Sequence, residues 1–186
     1  MAFHKCRCMF VPDHVLANLA RARIAEARLS IQQSKLSREQ RSAKAVDMTV
    51  FAGIAPPGEG PRKTYDCQNQ WVKRVALARG EGDPATGDDA VDDVYDGAGT
   101  VSDYFKDVLN RNSYDNVGSD IILNVHYGVN YMNAFWDGDE LTFGDGDGTI
   151  FVNFTKSLDV IAHEFAHGVT QFTADLDYYS QSGALN

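Results

Sequence analysis

Residues 158–173 read Leu158-Asp159-Val160-Ile161-Ala162-His163-Glu164-Phe165-Ala166-His167-Gly168-Val169-Thr170-Gln171-Phe172-Thr173. Leu158, Ile161, Ala162, Phe165, Ala166, Val169 and Phe172 recur at helical spacing, while Asp159, His163, His167 and Thr170 share the other side. The pattern predicts a helix buried along one side. Residues four apart on a helix face the same way, with Cβ atoms roughly 5–6 Å apart. The imidazoles of His163 and His167 can therefore converge on one zinc ion at about 2 Å each. Glu164 follows the first histidine and projects beside the metal, where it can take a proton from a polarised water. A core helix could carry two histidines and a glutamate by accident, but the pattern fixes three uncommon residues and the metal reading is preferred.

Such a zinc site needs a third protein ligand and one open position. The residues themselves offer no clear one. His4 and His14 lie in a basic N-terminal segment, His126 lies in a strand-like run, and only Asp175 and Asp177 follow the helix closely.

The rest of the composition bounds the partners. The chain has 186 residues, enough for one domain with a small appendage. Formal net charge is −9, which argues against nucleic acid as the main partner, because phosphate binding needs clustered Lys and Arg. No run approaches the roughly eighteen apolar residues of a membrane span. The segment from Met1 to Pro12 lacks the apolar run of a secretory signal. The expectation is a cytoplasmic precursor, export by another route, or a leader outside this stretch. Residues 81–186 are rich in Asp; these read as solvated loops, with calcium binding by some carboxylates as the sharper alternative. Cys6, Cys8 and Cys67 are an odd number and read as free thiols. Cys8 has a second reading, as a thiolate in the open zinc position.

Along the chain, residues 1–50 read as a separate helical segment. Asp13 can cap a helix running to Ala27, and Ser37-Arg38-Glu39-Gln40 has the form of a capping box opening a second helix. Residues 51–63, rich in Pro and Gly, read as a linker exposed to proteases. Strands are expected at 64–65, 72–78, 121–127, 132–136 and 149–154, and a helix at 88–109. Gly97 and Gly99 within that helix weaken it or mark close packing. The Asp145/Asp147 turn is not an EF-hand, because Ile150 and Lys156 stand where its Gly and Glu belong. No serine or cysteine nucleophile motif and no phosphate-binding glycine loop occurs.

Further runs join the zinc helix. Asn133-Ala134-Phe135-Trp136, Gly144-Asp145-Gly146-Asp147-Gly148, Asp159 to Thr170 and Ser182-Gly183-Ala184-Leu185-Asn186 resemble, in order and spacing, the thermolysin family of neutral proteases. Tyr65-Asp66 and Arg111-Asn112-Ser113-Tyr114-Asp115 fit the same family, so the likeness covers about residues 62–186. Val11-Pro12-Asp13-His14-Val15-Leu16 resembles the short propeptide of the protealysin-like branch, with Asp13 where that branch has a second proline.

The resemblance implies an α+β fold: a mostly-β N-terminal peptidase domain, 64–186, ending in the active-site helix and preceded by a helical propeptide. It implies His163 and His167 as zinc ligands, Glu164 as the catalytic base and Tyr178 as hydrogen-bond donor to the tetrahedral intermediate. Asn133 and Ala134 would bind an extended peptide or protein substrate, and Asp159 would be a calcium ligand. The chain's own propeptide would be a partner, covering the cleft until the linker is cut. The third zinc ligand would be a Glu immediately after Asn186, and a C-terminal helical domain would follow it. Trp71-Val72-Lys73-Arg74 departs from the Pro-Gly turn of the family. The expectation is a zinc endopeptidase precursor that hydrolyses no peptide as this chain alone. The alternative is a non-catalytic module that binds peptides or a partner through its edge strand.

Overall fold

The computed structural model describes residues 9–22, 24–44, 60–174 and 176. Two helices come first, α1 (Asp13–Arg21) and α2 (Ala25–Lys44). Then follow β1 (Arg62–Asp66), β2 (Ala76–Arg79), α3 (Asp89–Leu109), β3 (Ile121–Val125), β4 (Ala134–Trp136), β5 (Leu141–Phe143), a single 3-10 turn (Phe154–Lys156) and α4 (Leu158–Thr173). The strands form one mixed sheet in the order β2-β1-β3-β5-β4, so the class is α+β as expected. β1 runs parallel to β3 and β3 parallel to β5, while the two outer pairs are antiparallel. Among the described residues no helix is long and apolar enough to cross a membrane.

The sheet's apolar residues meet α3 and α4 in one core, which includes Val91, Val94, Ala98, Leu123, Val125, Trp136, Leu141, Ile161 and Phe165. α3 starts where Asp88 accepts hydrogen bonds from the amides of Ala90 (2.9 Å) and Val91 (3.4 Å). Asp89 and Asp92 in its first turn and Lys106 in its last complement the helix dipole. Gly97 marks close packing: a Cβ there would lie 2.5 Å from Ile161 Cδ1 of α4. A larger residue would require the Ile161 side chain to shift.

Several local expectations are corrected. The first helix ends at Arg21 rather than Ala27, and α2 starts at Ala25 rather than at Ser37. Asp13 does not cap α1; its carboxylate takes both guanidinium nitrogens of Arg38, at 3.0 and 2.8 Å. Ser37 lies inside α2, and Ser30, Ser34 and Ser37 share one buried face. Their hydroxyls serve tertiary contacts: Ser30 accepts from the Met132 amide at 2.9 Å and Ser34 meets the Tyr131 hydroxyl at 3.1 Å. β1 begins at Arg62, within the stretch read as linker.

Residues 149–154 are not a strand. Asp147 Oδ1 collects the amides of Thr149, Ile150 and Phe151, which bends the chain where a strand would extend. The short β5 supplies the strand instead. Residues 72–75 are irregular, and the strand of that hairpin is β2. The hairpin itself forms. Its loop is tied down by Lys73, which pairs with Asp137 and Glu140, and by Arg74, whose Nε donates to Glu140 at 2.7 Å.

Candidate metal and peptide site

α4 carries the candidate metal ligands, with His163 and His167 one turn apart along the same face. Their rings stand edge to face at 86°, with centroids 4.5 Å apart. The two Nε2 atoms approach to 3.0 Å. Two nitrogens each about 2.05 Å from a tetrahedral zinc would lie about 3.3 Å apart, so this donor pair fits the metal. His167 is buried and His163 half-buried. Burial pulls the His163 imidazole below its ordinary value, opposed by Asp159, which favours the neutral form that ligates metal.

Glu164 is fully buried beside β4. Its Oε2 accepts the Trp136 backbone amide at 2.8 Å, which fixes the carboxylate against the edge strand. Gln171, one turn beyond His167, reinforces the docking. It accepts from Trp136 Nε1 at 2.9 Å and donates to the Gly138 carbonyl at 3.1 Å. Neither partner of α4 was anticipated from sequence, although Gln171 continues the four-residue spacing of the two histidines. Leu158 and Phe172, expected on the apolar side, are exposed at the helix ends.

The edge of β4 is occupied by the chain's own N-terminal segment. The Phe10 amide donates to the Ala134 carbonyl at 3.3 Å. The Val11 amide donates to Asn133 Oδ1 at 2.7 Å, and Asn133 Nδ2 returns a bond to the Val11 carbonyl at 3.1 Å. Residue 10 thus meets the backbone of Ala134 and residue 11 the side chain of Asn133. The Phe10 ring stands edge-on to His163 at 5.6 Å and to Phe154 at 6.1 Å, and Phe151 stacks on Phe154 at 5.5 Å. The segment thus touches Asn133, Ala134 and His163, with His167 beside His163 and Glu164 anchored behind them on Trp136. No sequence signal identified Phe10, Phe151 or Phe154.

Asp159 is exposed and accepts from the Ser157 hydroxyl at 2.6 Å, which lowers its carboxyl below the usual range. Among the described residues, the one group of three carboxylate, thiol or imidazole ligands within reach of a common ion is Asp137, Asp139 and Glu140. Lys73 and Arg74 supply its positive charge. Tyr178, Cys6, Cys8, Asp175, Asp177 and the run from Ser182 to Asn186 lie outside the described residues. His126 is not placed as a ligand. Its Nδ1 lies 2.9 Å from Asp145 and its Nε2 3.2 Å from Asp88. The Asp145 hydrogen bond, working against burial and helped by Asp88, pushes this imidazole up to about 9.

Residues 33–171 match the family model described as thermolysin metallopeptidase, catalytic domain. The chain is 51% identical over 125 residues to "Protease PrtS" of Photorhabdus sp. (strain Az29), covering 67% of this chain and 34% of that protein. It is 38% identical over 179 residues to an "Extracellular metalloprotease" of Pectobacterium carotovorum subsp. carotovorum, covering 96% of this chain and 52% of that protein. The structure of the precursor of protealysin, a metalloproteinase from Serratia proteamaculans, superposes with a TM-score of 0.73 at 36% identity. That match covers 96% of this chain and 51% of the other. The chain therefore spans between a third and about half of these relatives' lengths.

Proposed function

Because the chain belongs to the thermolysin family of metallopeptidases, we propose that it is the substrate-reading and metal-binding part of a zinc endopeptidase, held in its latent precursor form. The observation that carries the reading is the pair of facing imidazoles, His163 and His167, beside a buried Glu164 carboxylate anchored to the edge strand. Zinc, when bound by these histidines, supplies a Lewis acid that polarises a peptide carbonyl and eases deprotonation of water. Glu164 accepts the proton of the attacking water and passes it to the leaving amine. The Trp136 amide keeps that carboxylate oriented. Asn133 reads the peptide backbone through its side chain and Ala134 through its carbonyl, in the manner of strand addition to a sheet edge. Tyr178 donates to the oxyanion that develops on the carbonyl. The third zinc ligand comes from outside the described residues, as do the partners of Asp159 at a calcium site.

Latency follows from the occupied edge. Residues 1–50 act as a propeptide, 51–63 as the processing linker and 64–186 as the N-terminal peptidase domain. The support is that Phe10 takes the Ala134 carbonyl and Val11 the Asn133 side chain, the groups a substrate would need. The reading also suits an extracellular enzyme, since one relative is named as such.

Glu164→Gln in the processed protease tests the reading. The variant is expected to keep its zinc and lose about 10²–10⁴-fold in peptide cleavage. Near-normal cleavage by Glu164→Gln would overturn the assignment.

A further inference from the structure

We propose that Trp71, Tyr127, Tyr131 and Phe135 form a specificity pocket for the peptide residue that precedes the one seated against His163, and that it takes a flexible apolar side chain, methionine above all. The proposal rests on the peptidase reading and adds a substrate preference to it.

Phe10 points toward His163 and Phe154. Met9 belongs to a different cluster from Phe10 and is buried, only 4% exposed, with Cys67, Tyr127, Tyr131 and Phe135, against which Trp71 packs. The rings meet edge to face. Trp71 lies 5.5 Å from Tyr127 and 5.7 Å from Tyr131, and Phe135 lies 5.8 Å from Tyr127 and 6.2 Å from Tyr131. An unbranched thioether suits such walls, because sulfur is polarisable and favours contact with aromatic rings.

Trp71 is the wall that the hairpin loop contributes, and the loop is fixed on three sides. Lys73 is held by Asp137 and Glu140 of the β4–β5 turn. The Arg74 amide donates to Asn124 Oδ1 of β3 at 2.8 Å. The Gly128 amide donates to the Gln70 carbonyl at 3.0 Å. The indole then lies on bare backbone: a Cβ on Gly128 would come within 2.2 Å of the ring. The pocket is also uncharged. Burial pushes the Cys67 thiol up to about 12, so this residue presents no thiolate. A Lys, Asp or Glu placed there would lose its hydration among aromatic rings.

The test compares kcat/KM of the processed protease on two peptides that differ only in carrying Met-Phe or Gly-Phe at the cleavage site. The wild-type enzyme is expected to favour Met-Phe by about tenfold, and Trp71→Ala to bring the ratio near one. Should Trp71→Ala fail to fold, Trp71→Leu carries the same comparison. In the latent chain, Met9→Gly is expected to speed amide exchange at Phe10, and to do so less when Trp71 is already replaced. A wild-type ratio near one, or a ratio that survives loss of Trp71, overturns the pocket and leaves the peptidase reading standing. Failure of the wild-type enzyme to cleave either peptide overturns both.

Discussion

Asn133→Ala removes the side chain through which β4 grips the N-terminal segment. Asn133 is fully buried. Its Oδ1 accepts the Val11 amide at 2.7 Å, and its Nδ2 donates to the Val11 carbonyl at 3.1 Å and to Ser34 Oγ at 3.3 Å. Alanine deletes these three bonds and the one from the Ala134 amide to Oδ1 at 3.0 Å, and leaves the Val11 amide and carbonyl buried without partners. Each such group costs about 1–3 kcal/mol, so the closed arrangement should weaken by about 3 kcal/mol, or about 150-fold in the closed-to-open ratio. The Phe10 amide bond to Ala134 and the Phe10 ring contacts remain, so the segment should open without unfolding the domain. Hydrogen exchange followed by NMR reads the effect at the Val11 and Phe10 amides, with those of β3 as internal controls. Asn133→Asp keeps the acceptor but replaces the donor, and should fall no lower than the alanine variant at the Val11 amide. Val11 exchange within about threefold of wild type in Asn133→Ala would refute the claim that this side chain holds the segment.

Other outcomes are equally specific. An unfolded histidine titrates near 6.5, whereas His126 holds its proton up to about 9 between Asp145 and Asp88. Its stabilisation is therefore complete below about pH 6.5 and lost as pH rises through about 9. For a partly exposed group this amounts to about 1–2 kcal/mol. Urea titrations should show wild type losing that margin over His126→Gln between the two pH values. Lys73→Met takes the lysine from buried Asp137 and leaves Glu140 with Arg74, and should destabilise by about 3 kcal/mol near neutral pH and by less in acid, measured by thermal melting. Gly128→Ala should displace the Trp71 ring, seen as a red shift of tryptophan emission, because the added methyl has no room and Gly128 sits at φ +69°.

The helices that carry long amphipathic patterns were the most legible parts. α4 runs from Leu158 to Thr173 as its periodicity predicts, and α3 follows directly from its Asp88 cap. Short strands were harder. β5 has three residues and no room to show a period, while the β-prone run at 149–154 was captured by the Asp147 carboxylate. Ser37 misled because a capping box and a tertiary hydrogen-bonding face use the same residue types. At the site, the spacing of His163 and His167 put two imidazoles on one helix face, where they stand. The anchoring of Glu164 by Trp136 and the seating of Phe10 on β4 join residues far apart in the chain, and no local pattern encodes such contacts.

The most direct measurement is the zinc content of the purified protein, wild type beside His163→Ala, His167→Ala and Glu164→Gln. Wild type and Glu164→Gln should each hold one zinc per site, and either histidine variant should lose it. Zinc retained without His163 or His167, or lost with Glu164→Gln alone, would contradict a metal centre built on the two imidazoles with the carboxylate serving as base.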